Sequence, residues 1–397
     1  MSALATRAGA VPCLTRFSFG MGLDSACIAL RWLEEPGSRD GIDLDDVTLS
    51  VAMTGDEYDS TRRLMETHLL PRLREHGVRL VQLSRARQSG GYVILDDSRA
   101  PRRMVMRGPW KLSDEFAAAG TQPQLSNHRC SIRAKAEPLD LWAADEYGDR
   151  PVFHVMGYSA EEDKRAAKDM KHATALRWPL YPLRVWGWDR NRCDAYVRGL
   201  IGEPWLRSCC AECCFGFNQA NLPDLVARWR AEPDRAAHVL WQEHTALAFN
   251  ERMKLFGETS AHEFARIHQL AEALALYRAR LEASRFAVYE VRRVLHAGKE
   301  GPHVKGPVWR SVKQLSSGAR PAMTVELAER AAEAGARVEF DDDGIARALV
   351  LARQDQYPTT ERLFALAPVG AVDKQLKSFE KHWARVSAAR AGRGRDD

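Results

Sequence analysis

The stretch that decides the fold is SFGMGLDS, residues 18–25, a glycine-rich turn between two apolar patterns. Residues 14–19 before it are strand-like, and a helical spacing of apolar residues begins at Asp24 and stops at Pro36-Gly37. Glycine lets the backbone approach an anion closely, and the first turn of a helix offers N–H groups to it. Ser18 and Ser25 add hydroxyl donors. A plain strand–helix turn in which Asp24 caps the helix is the alternative interpretation.

The first half of the chain repeats this alternation of strand and helix. Strands separated by helices predict βαβ units, so we expect an α/β fold. In that fold a parallel sheet carries helices on both faces and binds its ligand at the carboxyl ends of the strands. The further strand-like runs are residues 47–53, 78–83 and 152–157, and the helical patterns are residues 59–76, with a kink at Pro71, and 132–146.

The pattern changes after residue 219. Helical patterns at residues 222–231, 236–255 and 262–282 are followed by a basic stretch with Gly and Pro at residues 298–320. We therefore predict two domains, residues 1–218 and 219–397, of which the second is largely helical and ends in a disordered tail. Residues 84–127, rich in Gly, Pro, Arg and Ser, indicate one long loop within the first domain.

Length and composition exclude several classes of protein. The chain has 397 residues, which allows two or three domains at roughly 100–200 residues each. Apolar residues make up 45% and charged residues 28%, which is typical of a globular protein rather than a disordered one. No apolar run reaches the roughly 18–20 residues of a membrane span, and residues 1–17 lack a signal-peptide pattern. We expect a cytoplasmic protein without a membrane partner.

Residues 18–25 resemble the PP-loop of the N-type ATP pyrophosphatases, whose usual form is S-G-G-x-D-S. They are closer to the S-F-G-G-G-x-x-S form of proteins similar to phosphoadenosine-phosphosulfate (PAPS) reductase. Met53 stands where the family has an aspartate, and the resemblance covers residues 14–218. Five further segments resemble motifs of this superfamily in its order: TGDE at 54–57, HRCSIRAK at 128–135, GYSAEEDKR at 157–165, a P-L…W segment at 179–188 with Cys193, and SCCAEC at 208–213.

This resemblance implies a fold of the adenine nucleotide α-hydrolase type and cleavage of ATP to AMP and pyrophosphate. An acceptor oxygen would attack the α-phosphorus and become adenylated, while Mg²⁺ neutralises the developing charge. The catalytic residues it implies are Asp24, Ser25, Lys135 and Arg165. The residues it implies for binding ATP are Ser18, Phe19, Gly20, Gly22, Asp24, Ser25, Gly157, Glu162 and Arg165.

The eight cysteines point to metal, cluster or redox chemistry, because a chain of this length needs no disulfide framework. Cys210 and Cys213 form a C-x-x-C pair, which suits zinc, an iron–sulfur cluster or a redox dithiol. Sulfur-transferring relatives in the superfamily hold a [4Fe–4S] cluster, and the resemblance implies Cys130, Cys193, Cys210 and Cys213 as its ligands. Zinc is the alternative metal. Cys193 is alternatively a helix residue packed in the core, and Cys209 or Cys214 could replace it as a ligand.

Two basic regions bear on the partner of this chain, whose formal net charge is +5. Residues 285–320 hold eight Lys and Arg against two acids, Glu290 and Glu300, and residues 85–111 are also rich in Arg. Basic residues neutralise the phosphates of nucleic acid, and an aromatic such as Trp309 can stack on a base. Solvated loops explain either region alone. Because the resembling superfamily includes nucleic-acid sulfurases, we expect a nucleic-acid partner, with DNA favoured over tRNA.

The resulting hypothesis is an ATP pyrophosphatase that adenylates an acceptor for sulfur incorporation into nucleic acid. The resemblance favours the ATP pyrophosphatase subunits of DNA phosphorothioation, with a cysteine desulfurase as the sulfur donor. A PAPS reductase is an alternative, although such an enzyme uses a cysteine near its C-terminus and no cysteine follows Cys214. A tRNA thiolase would share the chemistry. A non-catalytic, zinc-stabilised nucleic-acid-binding module is the alternative of another class.

Overall fold

The computed structural model describes residues 14–124, 130–218 and 221–393 of the chain. The chain divides into two units. The first unit is built from Met1–Ser113 and Leu125–Cys213, and the second from Asp114–Gln124 and Cys214–Asp397. A short segment from the first third of the sequence therefore belongs to the second unit.

The first unit contains a six-stranded sheet in which five strands run parallel and one edge strand is antiparallel. Its order is β4-β3-β2-β1-β5-β6, which places β1 in the interior. The predicted mixed α/β architecture with a mostly parallel sheet is confirmed. The strands are β1 (Leu14–Ser18), β2 (Val47–Met53), β3 (Arg79–Arg87), β4 (Gly90–Ser98), β5 (Val152–Val155) and β6 (Arg177–Leu180).

Seven of the first eight helices belong to the first unit and flank this sheet or connect its strands, whereas six of the eight residues of α4 belong to the second unit. A π-helical turn, Met65–Leu69, joins α2 to α3 at the predicted kink, and another, Ser131–Ala136, leads into α5. Short 3₁₀ turns occupy Pro36–Arg39 and Leu44–Asp46. The helices are α1 (Leu23–Glu34), α2 (Asp59–Leu64), α3 (Leu70–Glu75), α4 (Leu112–Ala119), α5 (Glu137–Tyr147), α6 (Asp163–Met170), α7 (Pro182–Val185) and α8 (Arg190–Ile201).

Burial explains why these segments fold as they do. All seven residues of β2 are buried, as expected for a strand covered on both faces. Helix α1 buries nine of its twelve residues, and its Ile28 and Leu30 pack with Phe17 of β1 and Val47 of β2 in one apolar core. Burying each such side chain contributes about 1.5–3 kcal/mol, so the core fixes where β1 ends and α1 begins.

The strand order creates a topological switch point beside β1. The chain runs from β1 to β2 and β3 on one side, and β5 then pairs with the other side of β1. In open parallel sheets such a point leaves a crevice at the carboxyl ends of the two strands, and ligands bind there. The loops after β1 and β5 therefore define the place to search for a site.

One prediction for the first unit is wrong. Residues 84–127 were expected to form one long loop, but β3 continues to Arg87, turns, and returns as the antiparallel strand β4. Gln88 and Ser89 form the turn, and Gly90 and Gly91 at the start of β4 have φ values of 121° and 80°, a backbone conformation that favours glycine. Arg85, one of the arginines of that segment, is buried and forms an ion pair with Glu137.

The second unit contains a five-stranded antiparallel sheet of order β8-β7-β11-β10-β9. Phe249, Tyr289 and Leu363 belong to a core on one face of the sheet, and Val294, Phe379 and Val386 to a core on the other. Its strands are β7 (Phe286–Gly298), β8 (Gly301–Gly318), β9 (Val338–Phe340), β10 (Ala346–Leu351) and β11 (Thr359–Pro368). Its helices are α9 (Leu222–Ala231), α10 (Pro233–Phe249), α11 (Ala261–Ile267), α12 (Ala271–Ala283), α13 (Arg320–Glu333) and α14 (Phe379–Arg393).

Helices follow one another between residues 222 and 283 as predicted, and the five-stranded antiparallel sheet is what the expectation of a largely helical C-terminal domain did not include. The charged residues of β7 hid its strand pattern. Arg293 is 8% exposed and forms an ion pair with Glu361 of β11, and Arg292 forms one with Glu380. The basic stretch 301–318 is the edge strand β8, where a polar face is expected.

Among the helices of the described residues, none combines the length and the apolar character needed to cross a membrane.

Candidate functional site

The loop between β1 and α1 lies at the switch point, and its backbone is held from several sides. Phe19 N–H donates to the Ser50 carbonyl at 2.8 Å, and the Trp205 indole N–H donates to the Met21 carbonyl at 2.9 Å. Met21 adopts a left-handed conformation with φ 57° and is fully buried. A non-glycine residue in this region is uncommon, and the packing of Met21 fixes the shape of the loop.

The N-terminus of α1 opens from this loop without a side-chain cap. Gly22 is the N-cap residue, and no side chain of the described residues bonds to the first-turn N–H groups as a cap. Ser25 instead donates its hydroxyl to the Gly22 carbonyl at 3.0 Å. The alternative in which Asp24 caps the helix is therefore not what the structure has. First-turn N–H groups and the helix dipole favour an anion at this position.

The loop after β5 packs directly on this helix end. A Cβ atom at Gly157 would lie 3.1 Å from the Ser25 amide nitrogen and 3.3 Å from its Cα atom. Ser208 approaches from a third segment, since a Cβ atom at Gly22 would lie 3.7 Å from the Ser208 Cβ atom. Residues from three of the matched motifs thus surround one helix N-terminus.

Arginines dominate the charge around Asp24. Burial raises the pKa of Asp24, the positive charges of Arg190, Arg165 and Arg207 oppose that shift, and Glu162 adds to it. The Oδ1 atom of Asp24 is buried and has no hydrogen-bond partner among the described residues. Such an atom fits a cation, because a carboxylate oxygen is the ligand that Mg²⁺ prefers. The surroundings of the loop therefore supply cationic side chains for an anion, and Asp24 supplies one carboxylate for a metal ion.

Glu162 and Arg165, both predicted to bind ATP, lie together at the start of α6. They form an ion pair, and the Glu162 carboxylate also accepts from the Ser159 N–H at 3.1 Å. The Arg165 guanidinium lies 4.6 Å from the centre of the Tyr158 ring, a cation–π contact. Arg165 is mostly exposed, so its outer N–H groups can reach a ligand.

Phe19, predicted to bind ATP, packs its side chain in the core. Its side chain is buried and contacts the Phe17 ring edge-to-face at 5.8 Å. Its neighbour Gly20 is exposed. Only backbone atoms of Phe19 are therefore placed to serve the loop.

His154 and Arg177 were not predicted as site residues from the sequence. His154 Nε2 lies 2.6 Å from the Ser18 Oγ atom, and Arg177 Nε–H donates to His154 Nδ1 at 2.8 Å. His154 is the one polar residue in the buried strand β5, VFHV, and that contrast is the signal that could have revealed it. Burial, Arg16 and Arg177 hold its pKa well below the ordinary value, so the ring is neutral.

The TGDE segment, 54–57, forms a turn after β2 whose carboxylates hold the backbone. Glu57 accepts from the Thr54 and Gly55 N–H groups at 2.9 and 3.0 Å, and Asp56 accepts from the Ser113 N–H at 2.7 Å. The Asp56 carbonyl accepts from the Ala211 N–H at 2.9 Å. The turn thereby holds the segment that carries the C-x-x-C motif.

Of the predicted cysteine ligands, Cys210 and Cys213 lie together, whereas Cys193 lies beside Cys27. The free thiols of Cys210 and Cys213 hydrogen-bond to each other. This hydrogen bond, burial and the charges of Cys213 and Glu212 hold the pKa of Cys210 well above its ordinary value, while the charge of Lys135 opposes the shift. Cys193 of α8 is fully buried against Cys27 of α1. Within the described ranges no three thiol sulfurs lie within 4.8 Å of one another.

Lys135 and Cys130 belong to the HRCSIRAK segment, of which His128 and Arg129 lie outside the described residues. Cys130 immediately precedes the π-helical turn Ser131–Ala136, and Lys135 lies on it. The structure thus brings together the loop, Gly157, Glu162 and Arg165, and it places Lys135 near the Cys210 thiol.

No family model, no curated protein and no solved structure matches this chain. The loop at the switch point and the side chains around it are therefore the features that bear on function.

Proposed function

We propose that the first unit is an ATP pyrophosphatase that transfers AMP to an acceptor oxygen. The observation that carries this proposal is the uncapped N-terminus of α1, which opens at the switch point amid the charges of Arg165, Arg190 and Arg207. A triphosphate needs several N–H and cationic donors at once, and this loop supplies both kinds. A small monoanion would not require three arginines.

The loop and the arginines around it would bind different parts of the substrate. The first-turn N–H groups and the arginines would bind the β- and γ-phosphates, which become the leaving pyrophosphate. Asp24 would hold Mg²⁺ through its unpartnered Oδ1 atom, and the ion would neutralise phosphate charge. Because these donors are fixed before the substrate arrives, they stabilise the leaving group without reorganising.

The chemistry then proceeds in two displacements. An oxygen of the acceptor bonds to the α-phosphorus, the bond from that phosphorus to the bridging oxygen breaks, and pyrophosphate leaves with the electron pair. A phosphodiester oxygen carries no proton, so this acceptor requires no general base. Sulfide, which an external thiol releases from the persulfide of a cysteine desulfurase while a disulfide forms, then bonds to the activated acceptor phosphorus. The bond from that phosphorus to the bridging oxygen breaks, and AMP leaves with the electron pair.

The four-cysteine cluster predicted from the sequence receives no step in this mechanism. A [4Fe–4S] cluster needs three or four thiolates around one centre. The described thiols do not supply such a centre, because no three of their sulfurs lie within 4.8 Å of one another and Cys193 hydrogen-bonds to Cys27. Cys210 and Cys213 hydrogen-bond to each other as a pair at the C-x-x-C turn. That pair could hold two positions of a metal ion or act as a dithiol.

Nucleic acid, with DNA favoured, is the acceptor that the second unit supports best. Lys305 of β8 lies near Arg252, Arg293 and Arg353, which lower its pKa together with burial. Two carboxylates, Glu251 and Glu361, pair with these arginines. Four cations against two acids leave an excess that suits a phosphate backbone.

The test uses anaerobically purified protein, Mg²⁺ and ATP labelled at the α-phosphate. We expect labelled AMP, and we expect Ser25→Ala to lose it while Ser89→Ala, at an exposed serine of the β3–β4 turn, keeps it. Duplex DNA and tRNA are added in separate reactions to identify the acceptor. If no AMP forms under any of these conditions, the chain is not an ATP pyrophosphatase, and the non-catalytic binding module becomes the better explanation.

A further inference from the structure

A buried polar network runs beneath the candidate loop, on one face of the first unit's sheet. Arg16 and Ser18 are alternate residues of β1 and therefore share a face, and His154 of β5 pairs in register with Arg16. His154 is only 6% exposed, whereas Ser18 is half-buried at the end of its strand. The hydroxyl of Ser18 thus joins a buried histidine to an accessible surface.

Both ring nitrogens of His154 have partners. Nε2 lies 2.6 Å from Ser18 Oγ, and Nδ1 lies 2.8 Å from Arg177 Nε. Two carboxylates bind the arginines of the network. Asp169 accepts from Arg177 at 2.7 Å and also from the Tyr181 hydroxyl at 2.7 Å. Asp140 accepts from Arg16 at 3.3 Å.

These partners determine where the histidine carries its proton. A guanidinium N–H can only donate, so Nδ1 must be the acceptor of the Arg177 bond. A neutral imidazole with an unprotonated Nδ1 carries its proton on Nε2. Nε2–H therefore donates to Ser18 Oγ, and the hydrogen of that hydroxyl must point to another acceptor.

We propose that His154 is a positioning residue that turns the Ser18 hydroxyl into a hydrogen-bond donor for a phosphoryl oxygen of the bound nucleotide. This inference rests on the proposed function. Without Nε2–H, the Ser18 hydroxyl would donate to the histidine and present only lone pairs to the phosphate. Arg177 acts through His154, because its Nε–H donates to Nδ1 and so excludes the tautomer that is protonated on Nδ1.

The proposal separates triphosphate binding from general stability. His154→Phe keeps an aromatic ring in the cavity and removes the donor, so we expect the affinity for α,β-methylene-ATP to fall about ten- to hundredfold, the usual loss for one hydrogen bond to a charged group. We expect His154→Gln, whose side-chain amide can donate to Ser18, to restore most of this affinity. His172→Phe changes an exposed histidine and is the matched control.

A double-mutant cycle with Ser18→Ala gives the decisive readout. If His154 acts through Ser18, adding His154→Phe to Ser18→Ala costs little further affinity, because the hydroxyl that it orients is already gone. Independent losses that add, or an unchanged affinity in His154→Phe, would overturn the proposal. A merely structural role predicts such additive losses together with a lower melting temperature in both backgrounds.

A second measurement does not depend on nucleotide. In protein labelled with ¹⁵N-histidine, the signals missing from His154→Gln identify this ring, and we expect a protonated Nε2 and an unprotonated Nδ1. A protonated Nδ1 would refute the inference even if ATP binds. If the expected tautomer is found but the wild type binds no ATP analogue, the proposed function fails instead.

Discussion

A Cβ atom built on Gly157 would lie 3.1 Å from the amide nitrogen of Ser25, closer than nearly all real contacts of this kind. Gly157 follows β5 and Ser25 lies in the first turn of α1, so the two loops of the switch point meet at backbone distance. Because the contacted atoms belong to the backbone of a packed helix, they cannot rotate away. The close approach of the loop after β5 therefore favours glycine, because a side chain here would push the helix backbone away by a few tenths of an ångström.

Gly157→Ala is expected to displace the first turn of α1 and to weaken ATP binding at least tenfold. Overpacking of this kind costs about 1–3 kcal/mol of stability, so the melting temperature should fall as well. Calorimetric titration with α,β-methylene-ATP measures the affinity. The matched control is Gly199→Ala in α8, where a Cβ atom would meet nothing within 4 Å. Normal ATP affinity in Gly157→Ala would show that the loop after β5 does not shape the site.

Asp24 gives a prediction about magnesium and pH. Burial raises the pKa of Asp24, so its contribution to stability is greatest at low pH and is lost as the pH rises through the raised pKa. Mg²⁺ on the ionised carboxylate offsets that loss. We expect Mg²⁺ to raise the melting temperature by about 2–4 °C at neutral pH and by less at acidic pH.

The Asp24→Asn variant should remove this magnesium effect at both pH values, whereas Asp45→Asn, at an exposed residue, should retain it. Differential scanning calorimetry with and without Mg²⁺ makes the comparison. An equal response of wild type and Asp24→Asn would exclude Asp24 as the ligand.

The cysteine pairs predict which thiols hold a metal. We expect Cys210→Ser and Cys213→Ser to lose whatever metal accompanies anaerobically purified protein, because these two thiols meet at one turn. Cys193→Ala should keep the metal, since the Cys193 thiol is hydrogen-bonded to Cys27 in the core. Elemental analysis of the three variants decides the ligands, and visible absorbance separates iron from zinc. Loss of metal in Cys193→Ala would support the four-cysteine set predicted from the sequence.

The cations near Lys305 predict how the protein binds DNA. Lys305→Ala and Arg252→Ala should each reduce the slope of log affinity against log salt concentration by about 0.9, the value for one lost phosphate contact. Fluorescence anisotropy with a labelled duplex at several salt concentrations measures this slope. Lys381→Ala, an exposed lysine of α14, is the control. Slopes that match the wild type in all three variants would place the nucleic-acid surface elsewhere.

Much of the secondary structure of the first unit could be predicted from local patterns of apolar residues. The sequence predicted β2 at residues 47–53, the bounds that the structure has, because apolar residues run through a strand buried on both faces. It also located the loop at 18–25, since glycine and serine between a strand and a helix form a local signal.

What could not be predicted depends on partners distant in sequence. Strand β7 contains Glu290, Arg292 and Arg293, which indicate an exposed segment in the sequence. Their counter-charges are Arg362 and Glu361 of β11 and Glu380 of α14. The role of His154 likewise needs Ser18 and Arg177, which come from two other strands. Neither set of partners follows a periodicity that the sequence displays.

The placement of Asp114–Gln124 in the second unit has a consequence for how the protein is made. Val372 N–H donates to the Ala118 carbonyl at 2.9 Å, Arg310 donates to the Gly120 carbonyl at 3.1 Å, and a Cβ atom at Gly120 would overlap the Phe249 ring. On the ribosome this segment emerges long before those partners are translated. The segment can therefore reach its final contacts only after residue 372 has been translated. A gene divided between codons 213 and 214 would not encode two self-sufficient products.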